Sequence, residues 1–594
     1  MSAKHTPYHD RGNSLRQQSR NHSNSSVKCT TARPARDREL SHALWEALVC
    51  SSNDDSKCFI PFNTLQLAKD RKLVEQTLRH KDSGVSAGDI PKLLETICSG
   101  EQAPSAKSFF RIFAILVICK NTRYISEFIE LGVDDAYLPL PTIRRSEGKI
   151  TILHKNEKYR PRIKSEKVER IFQDQEDWDS DKLHNFNTRQ WWAIAPFLWR
   201  RDNVIPHYVL EASDVLPFTG NERSKGPQIE VDDQDGPETV DPEPLLEKEG
   251  GFSDVFRVQI HPSHYDFGTQ PYSDGSHTYI LKRLKSPNEN EFKQEVNALI
   301  KYDHGIGKHL LPLLATIEKE ETNSNSKYYL LFPEAKGDLR DFWKTQFTRN
   351  ANSSLLRWMA EQCLGVTRAL SMLHQDQDQD KQEDYPIYGR HGDIKAANIL
   401  WFSKPGSTDH SGWVLVLSDY GLVRFHRFMS RSIQTARNIK KTITYQAPEF
   451  DIGKISRKSD VWALGCTFLE FITCYLKGFH AVNEDFPSQR GEYDERLKFD
   501  ADKFYRTIQD GKWAELKPSV RNWISDLHQS PKCCQYLHEF LHFIENNMLR
   551  IERDERPAAS EVVETLESLL KRCQNENYLS GQSGQCSVWQ HGRL

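Results

Sequence analysis

The stretch GRHGDIKAANIL, residues 389–400, decides how the rest of the chain is read. It sets Arg390, His391, Asp393, Lys395 and Asn398 within nine positions and then turns apolar, as a polar loop entering a β-strand does. After it comes WVLVLSDYGLVRF, an apolar run from Trp413 to Leu417 that delivers Asp419 at its end. The turn-rich SKPGSTDHSG joins the two runs, so a hairpin is expected to bring Asn398 close to Asp419. Two oxygen ligands side by side suit Mg²⁺, which takes few protein ligands and leaves the rest of its octahedron to phosphates and water.

Upstream, KEGGFSDVFRV followed by TYILKRLK reads as strand, glycine turn, strand, with Lys282 near the end of the later strand. Lys282 is placed to neutralise phosphate charge, and the helical stretch EFKQEVNALI offers Glu295 as the carboxylate that holds it, with Phe292, Val296 and Leu299 on its apolar face. The bland alternative for Lys282 is a solvated strand end. Downstream stand TYQAPEF, SDVWALGC and RIERDERPAAS, in that order.

With these motifs in sequence, residues from about 240 to 572 resemble a eukaryotic protein kinase domain of the Ser/Thr type, with His-Gly-Asp in the catalytic loop. The helical region before it is similar to that of fungal kinase-like proteins. The resemblance implies an α+β, bilobal fold, with a β-rich N-lobe and a helical C-lobe, preceded by an all-α N-terminal domain. It implies ATP and Mg²⁺ as cofactors and protein hydroxyls as substrate. By it Asp393 is the catalytic aspartate, Lys395 steadies the transferred phosphate, Lys282 contacts the phosphates and Glu295 is its partner. Asn398 and Asp419 take the metal positions, and Gly250, Val255, Lys282, Glu334, Ala335 and Leu400 surround the nucleotide. Phe332 falls at the gatekeeper position and Pro333 to Ala335 at the hinge. Glu449 is expected to pair with Arg556, and Asp460 to support the catalytic loop. Thr442 matches the threonine before Ala447-Pro448-Glu449.

Small-molecule phosphotransferases of the aminoglycoside type share His-Gly-Asp and the later asparagine, but their pattern does not account for Lys395, Asp-Tyr-Gly, Ala-Pro-Glu or Asp460-Val-Trp462. Departures from the kinase pattern are specific. Lys248 and Ser253 replace two glycines of the phosphate loop, Ile280 replaces an alanine above the adenine, and Gly392 replaces the arginine before the catalytic aspartate. They make a catalytically weak pseudokinase scaffold the alternative to an active enzyme.

The chain has 594 residues and a net charge of −3, which suggests two folded units and argues against a dedicated nucleic-acid binder. The reading divides it into a disordered basic arm (1–38), a helical domain (39–145), a connector with a Trp cluster (146–218), an acidic linker or loop (219–244), the kinase domain (245–572) and a C-terminal tail (573–594). FFRIFAILVIC from Phe109 is apolar on nearly every side, as for a helix at the centre of a bundle, but too short and interrupted to span a bilayer. A soluble, intracellular, cytoplasmic chain is expected, with the nucleus as the alternative, no membrane or nucleic-acid partner, and a protein partner for the helical domain. The Trp191, Trp192 and Trp199 cluster reads as core packing or as a clamp between the two units. Twelve cysteines without a C-x-x-C pair are expected to be mostly buried thiols, with neither a disulfide frame nor a zinc site.

Overall fold

The computed structural model describes residues 39–50, 57–98, 107–146, 149–153, 163–201, 204–219, 246–249, 253–268, 276–286, 288–301, 308–321, 326–346, 352–375, 390–404, 406–407, 409–419, 443–494, 497–509 and 511–580. The basic arm, residues 220–244 of the acidic linker, residues 376–389 and residues 420–442, Thr442 among them, lie outside these residues.

The N-terminal unit is built round the helix Phe110–Ile118, every residue of which is buried except Arg111. Such a helix has no solvent face, so amphipathic helices such as Arg71–Arg79 and Ile90–Cys98 cover it. Its N-terminal amides are satisfied by Asp135, whose carboxylate accepts from Ile112 N at 2.9 Å and from the Ser108 hydroxyl at 2.9 Å. The unit is not purely helical: Thr142–Ser146 pairs with Lys149–Leu153, and Val49–Cys50 pairs with Cys58–Phe59. That second pairing sets Cys50 opposite Cys58, and the two are joined in a disulfide. This single disulfide is an exception to the expected thiols, which the other described cysteines remain, most of them buried.

Seven strands form the N-lobe sheet: β1 (His207–Leu210), β2 (Phe218–Thr219), β3 (Leu246–Glu249), β4 (Ser253–Ile260), β5 (Thr278–Leu284), β6 (Ala315–Glu320) and β7 (Ser326–Pro333). The order is β1-β6-β7-β5-β4-β2, with β3 also on β4. All pairings are antiparallel except β1 with β6. Two of these strands lie within residues 207–219, so the sheet draws on the connector and is not confined to the stretch after 245. β1 is held by the half-buried Lys319, whose ammonium donates to the carbonyls of Glu211, Ala212 and Asp214 at 3.2, 3.1 and 2.7 Å. Helix α1 (Glu289–Lys301) follows β5 and stacks Phe292 on Tyr328 of β7, with His207 of β1 beside the same ring.

The C-lobe contains α2 (Leu339–Thr345), α3 (Ser353–Gln375), α4 (Lys458–Lys477), α5 (Pro518–His528), α6 (Gln535–Phe543), α7 (Ala559–Arg572) and α8 (Glu576–Leu579). The hairpin β8 (Ile399–Ser403) with β9 (Trp413–Leu417) lies against it. Eighteen consecutive residues of α4, Ser459 to Leu476, are buried, making it the lobe's axis. The packed chain runs past 572: Cys573, Tyr578 and Leu579 are buried in the same core, because α8 closes over α3.

The two units meet at a seam. Buried His264 accepts from Phe62 N–H at Nε2 (2.9 Å) and donates from Nδ1 to the Pro196 carbonyl (3.1 Å), with Phe59 edge-on to its ring. Trp192 belongs to the N-terminal core and Trp199 packs against the sheet, so the aromatic cluster divides between the units instead of forming one clamp. Among the described residues no helix is long and apolar enough to cross a membrane.

Candidate active site

Lys282 is fixed by register. On β5 it stands opposite Val255 of β4 and Leu330 of β7, so its stem is enclosed and the residue is 7% exposed. The ammonium reaches Asp419 Oδ1 at 3.0 Å, across 137 residues of chain. Asp419 stands two residues beyond β9 with φ of 58°, a left-handed conformation that a residue with a Cβ adopts at a cost of order 1 kcal/mol. The strain aims its half-exposed carboxylate at the lysine. Glu295 lies on α1; its side chain and Gly250 are outside the described residues.

Asp393 sits in the loop before β8. Its Oδ2 accepts from Lys395 Nζ at 2.6 Å and from Asn398 Nδ2 at 2.9 Å, and Asn398 Nδ2 also donates to the Asp393 carbonyl at 2.8 Å. Because the Asn398 nitrogen is spent on Asp393, its side-chain oxygen is the atom left for a cation. Asn398 is buried, and its own carbonyl accepts from Ser418 N and Oγ at 2.9 and 3.0 Å, tying the start of β8 to the residue before Asp419. Asn398 and Asp419 are thus joined through one hairpin end, and their hard oxygen donors fit Mg²⁺.

The loop hangs from Asp460 at the start of α4. The amides of His391 and Gly392 donate to its two oxygens at 2.8 Å each, and His374 Nε2 donates at 2.9 Å. Burial works against the charge of Asp460, yet the neighbouring His374, His391 and Arg390 hold its carboxyl below the usual range. His391 in turn donates from Nε2 to the Ser418 carbonyl at 2.8 Å, while Nδ1 accepts from Asp393 N–H at 3.3 Å. One buried carboxylate and one imidazole therefore set the height of both Asp393 and Asp419. At the base of the lobe Arg556 grips Glu449 with two bonds of 2.8 and 2.7 Å.

Ile280, Ala335 and Leu400 are half-buried on the edge of the central apolar cluster, with buried Phe332 among its members. Glu334 turns its carboxylate outward onto Arg257 of β4 at 2.5 Å, a tie between phosphate-loop strand and hinge. Sequence reasoning missed Arg390. Gly392 has φ of 80°, and a Cβ there would lie 3.2 Å from Arg390 Nη2. The turn at Gly392 thus brings a guanidinium from two residues earlier beside the catalytic loop.

Residues 273–566 match the family model described as a protein kinase domain. Curated relatives include three proteins of Arabidopsis thaliana. A cysteine-rich receptor-like protein kinase is 28% identical over 234 residues, covering 38% of this chain and 28% of that protein. The proline-rich receptor-like protein kinase PERK8 is 28% identical over 239 residues, again 38% and 28%. A further receptor-like protein kinase is 28% identical over 331 residues, 55% of this chain and 33% of that protein. The chain spans a third or less of the length of these relatives.

Proposed function

From the premise that this chain carries a protein kinase domain, we propose that it is an ATP- and Mg²⁺-dependent protein serine/threonine kinase. The observation that supports it best is the convergence of two hydrogen-bonded sets, Lys282 with Asp419 and Lys395 with Asp393 and Asn398, linked where Ser418, the residue before Asp419, bonds to the Asn398 carbonyl. Mg²⁺, when bound, neutralises the phosphate oxygens. Asn398 Oδ1 and the Asp419 carboxylate hold it; Lys282 lies against the phosphates, with Glu295 as its expected second partner. Asp393 accepts the hydrogen bond of the incoming hydroxyl and orients it. Lys395, now 2.6 Å from Asp393, is close enough to stabilise charge on the transferred group, and a lysine at this position favours serine and threonine over tyrosine. Gly250, Val255, Glu334, Ala335 and Leu400 frame the nucleotide.

The altered phosphate loop favours a second reading, a pseudokinase scaffold whose N-terminal unit binds protein partners. One assay separates the two: transfer from labelled ATP to a generic protein substrate by wild type and by Asp393→Asn. A loss of at least about a hundredfold in the variant is expected. Equal incorporation by both proteins, or none by the wild type with Mg²⁺ present, removes the enzymatic reading.

A further inference from the structure

The corner between α5 and α6 carries a cluster that phosphotransfer does not use. His528 ends α5, Cys533 lies in the loop and His538 is in the first turns of α6. The two imidazole Nδ1 atoms are 2.8 Å apart, and Cys533 Sγ is 3.7 Å from Nδ1 of His538. The rings stack within 4° of parallel, and the three donor atoms lie within 4.8 Å of one another. Cys533 is buried at 3% exposure and the histidines are half-buried, so the cluster is recessed but reachable. We propose that His528, Cys533 and His538 form a zinc site.

Four features carry this. The donor set, two imidazoles and one thiolate, matches borderline-soft Zn²⁺ and not the oxygen-seeking Mg²⁺ of the active site. The spacing is right in scale: tetrahedral zinc with Zn–N near 2.0–2.1 Å and Zn–S near 2.3 Å places its ligand atoms roughly 3.3–3.7 Å apart, so the two nitrogens have to open by about half an ångström while Cys533 already stands at the right distance from His538 and within 4.8 Å of His528. In the metal-free form a single proton bridges the two nitrogens, and the metal takes that place. The loop is also preorganised, since Cys533 N–H donates to the Ser530 carbonyl at 2.9 Å and Ser530 N–H to Leu527 at 3.2 Å. Three protein ligands leave a fourth position for water. The bound metal would staple the end of α5 to α6, beside the buried Trp523, whose indole donates to Thr473 of α4 at 3.1 Å. The pattern His-x4-Cys-x4-His has no paired cysteines, so a search for C-x-x-C passes over it.

The test uses the full chain, stripped by chelation and titrated with Co²⁺ and then Zn²⁺. One equivalent of Co²⁺ is expected to give thiolate-to-cobalt charge-transfer absorption with the intense visible bands of four-coordination, both bleached by Zn²⁺. Cys533→Ser should lose the charge-transfer band, and His538→Gln should weaken binding by about tenfold or more. Wild-type protein that binds Co²⁺ without charge transfer, or a Cys533→Ser variant with an unchanged spectrum, overturns the proposal. Should either variant fail to fold, alkylation of wild type with peptide mapping decides: Cys533 is expected to be protected by Zn²⁺, and modification at the same rate with and without metal refutes the site.

Discussion

Gly392 shows how one residue alters the reading of a motif. Restoring the family's arginine there looks like a repair, but φ of 80° disfavours any residue with a Cβ, and that Cβ would press on the Arg390 guanidinium at 3.2 Å. Gly392→Arg is therefore expected to destabilise the domain by about 1–2 kcal/mol and, by shifting Asp393, to lower phosphotransfer roughly tenfold or more. Denaturant unfolding and initial rates check it; a gain in activity would mean that the loop relaxes into the usual conformation. Arg390→Ala tests the substitute cation separately. Its neighbour Asp460 carries two loop amides, so Asp460 has to stay ionised, and removal of the Arg390 charge is expected to leave the fold intact while reducing the rate.

Among the elements, α3 and the segment before β6 meet at a contact that allows no extra atom. A Cβ at Gly365 would fall 2.1 Å from His309 Nε2, and that ring is tied through Nδ1 to the Leu415 carbonyl at 2.7 Å. Backbone bonds from Leu417 N to His309 O (2.8 Å) and from Leu311 N to Leu417 O (3.0 Å) extend the same junction to the end of β9, two residues before Asp419. Gly365→Ala is expected to cost about 1–3 kcal/mol by overpacking. In His309→Ala the clash is absent, so the double variant should be more stable than the sum of the two single changes predicts; simple additivity in thermal unfolding would disprove the contact. The seam between the units depends on His264 in the same way. Burial lowers its pKa from 6.5 to about 4, against the raising effect of its bonds to Pro196 and Ile60. A base with a depressed pKa in the folded state stabilises it above pH 6.5 and loses that contribution as pH falls towards 4. By pH 5 the loss is about 2 kcal/mol. Hydrogen exchange at residues 59–62 should therefore rise between pH 7 and 5, after correction for intrinsic rates, and should not do so in His264→Gln.

On the scale of the whole molecule, the N-terminal unit and the N-lobe are physically continuous. β1 and β2 come from the connector, and Tyr208 of β1 accepts from Trp199 N–H at 2.9 Å and donates to the Phe197 carbonyl at 3.1 Å. A truncated chain that begins at residue 245 would leave the edge of β6 unpaired and uncover the apolar residues that β1 shields, Leu314, Ala315 and Ile317 among them. It is expected to aggregate or to melt well below the full chain, whereas a chain that begins at residue 195 keeps the sheet and should stay folded. Equal melting temperatures for both would show that the connector strands add nothing. Since β1 also lies beside Phe292 of α1, the helix that bears Glu295, any partner that moves the N-terminal unit has a short path to the active site.

Local pattern was enough for much of this protein. Alternation and turn residues announced the hairpin that joins Asn398 to Ser418, since neighbouring strands with a short connection have little choice but to pair. The run at Phe110–Ile118, apolar at every position but Arg111, likewise required burial on nearly every side. Contacts between residues far apart in sequence carry no such local signal. The Lys282–Asp419 pair spans 137 positions, and His264 reaches Phe62 over 202. The guanidinium of Arg390 over Gly392 and the His528–Cys533–His538 corner depend on backbone turns and helix ends that fix direction as well as distance. Sequence determined which groups this protein possesses and the order of its local elements, because those follow from short-range sterics and hydrophobic period. Tertiary packing alone decided which of the groups meet, because close approach of distant segments is set by the burial of the whole core.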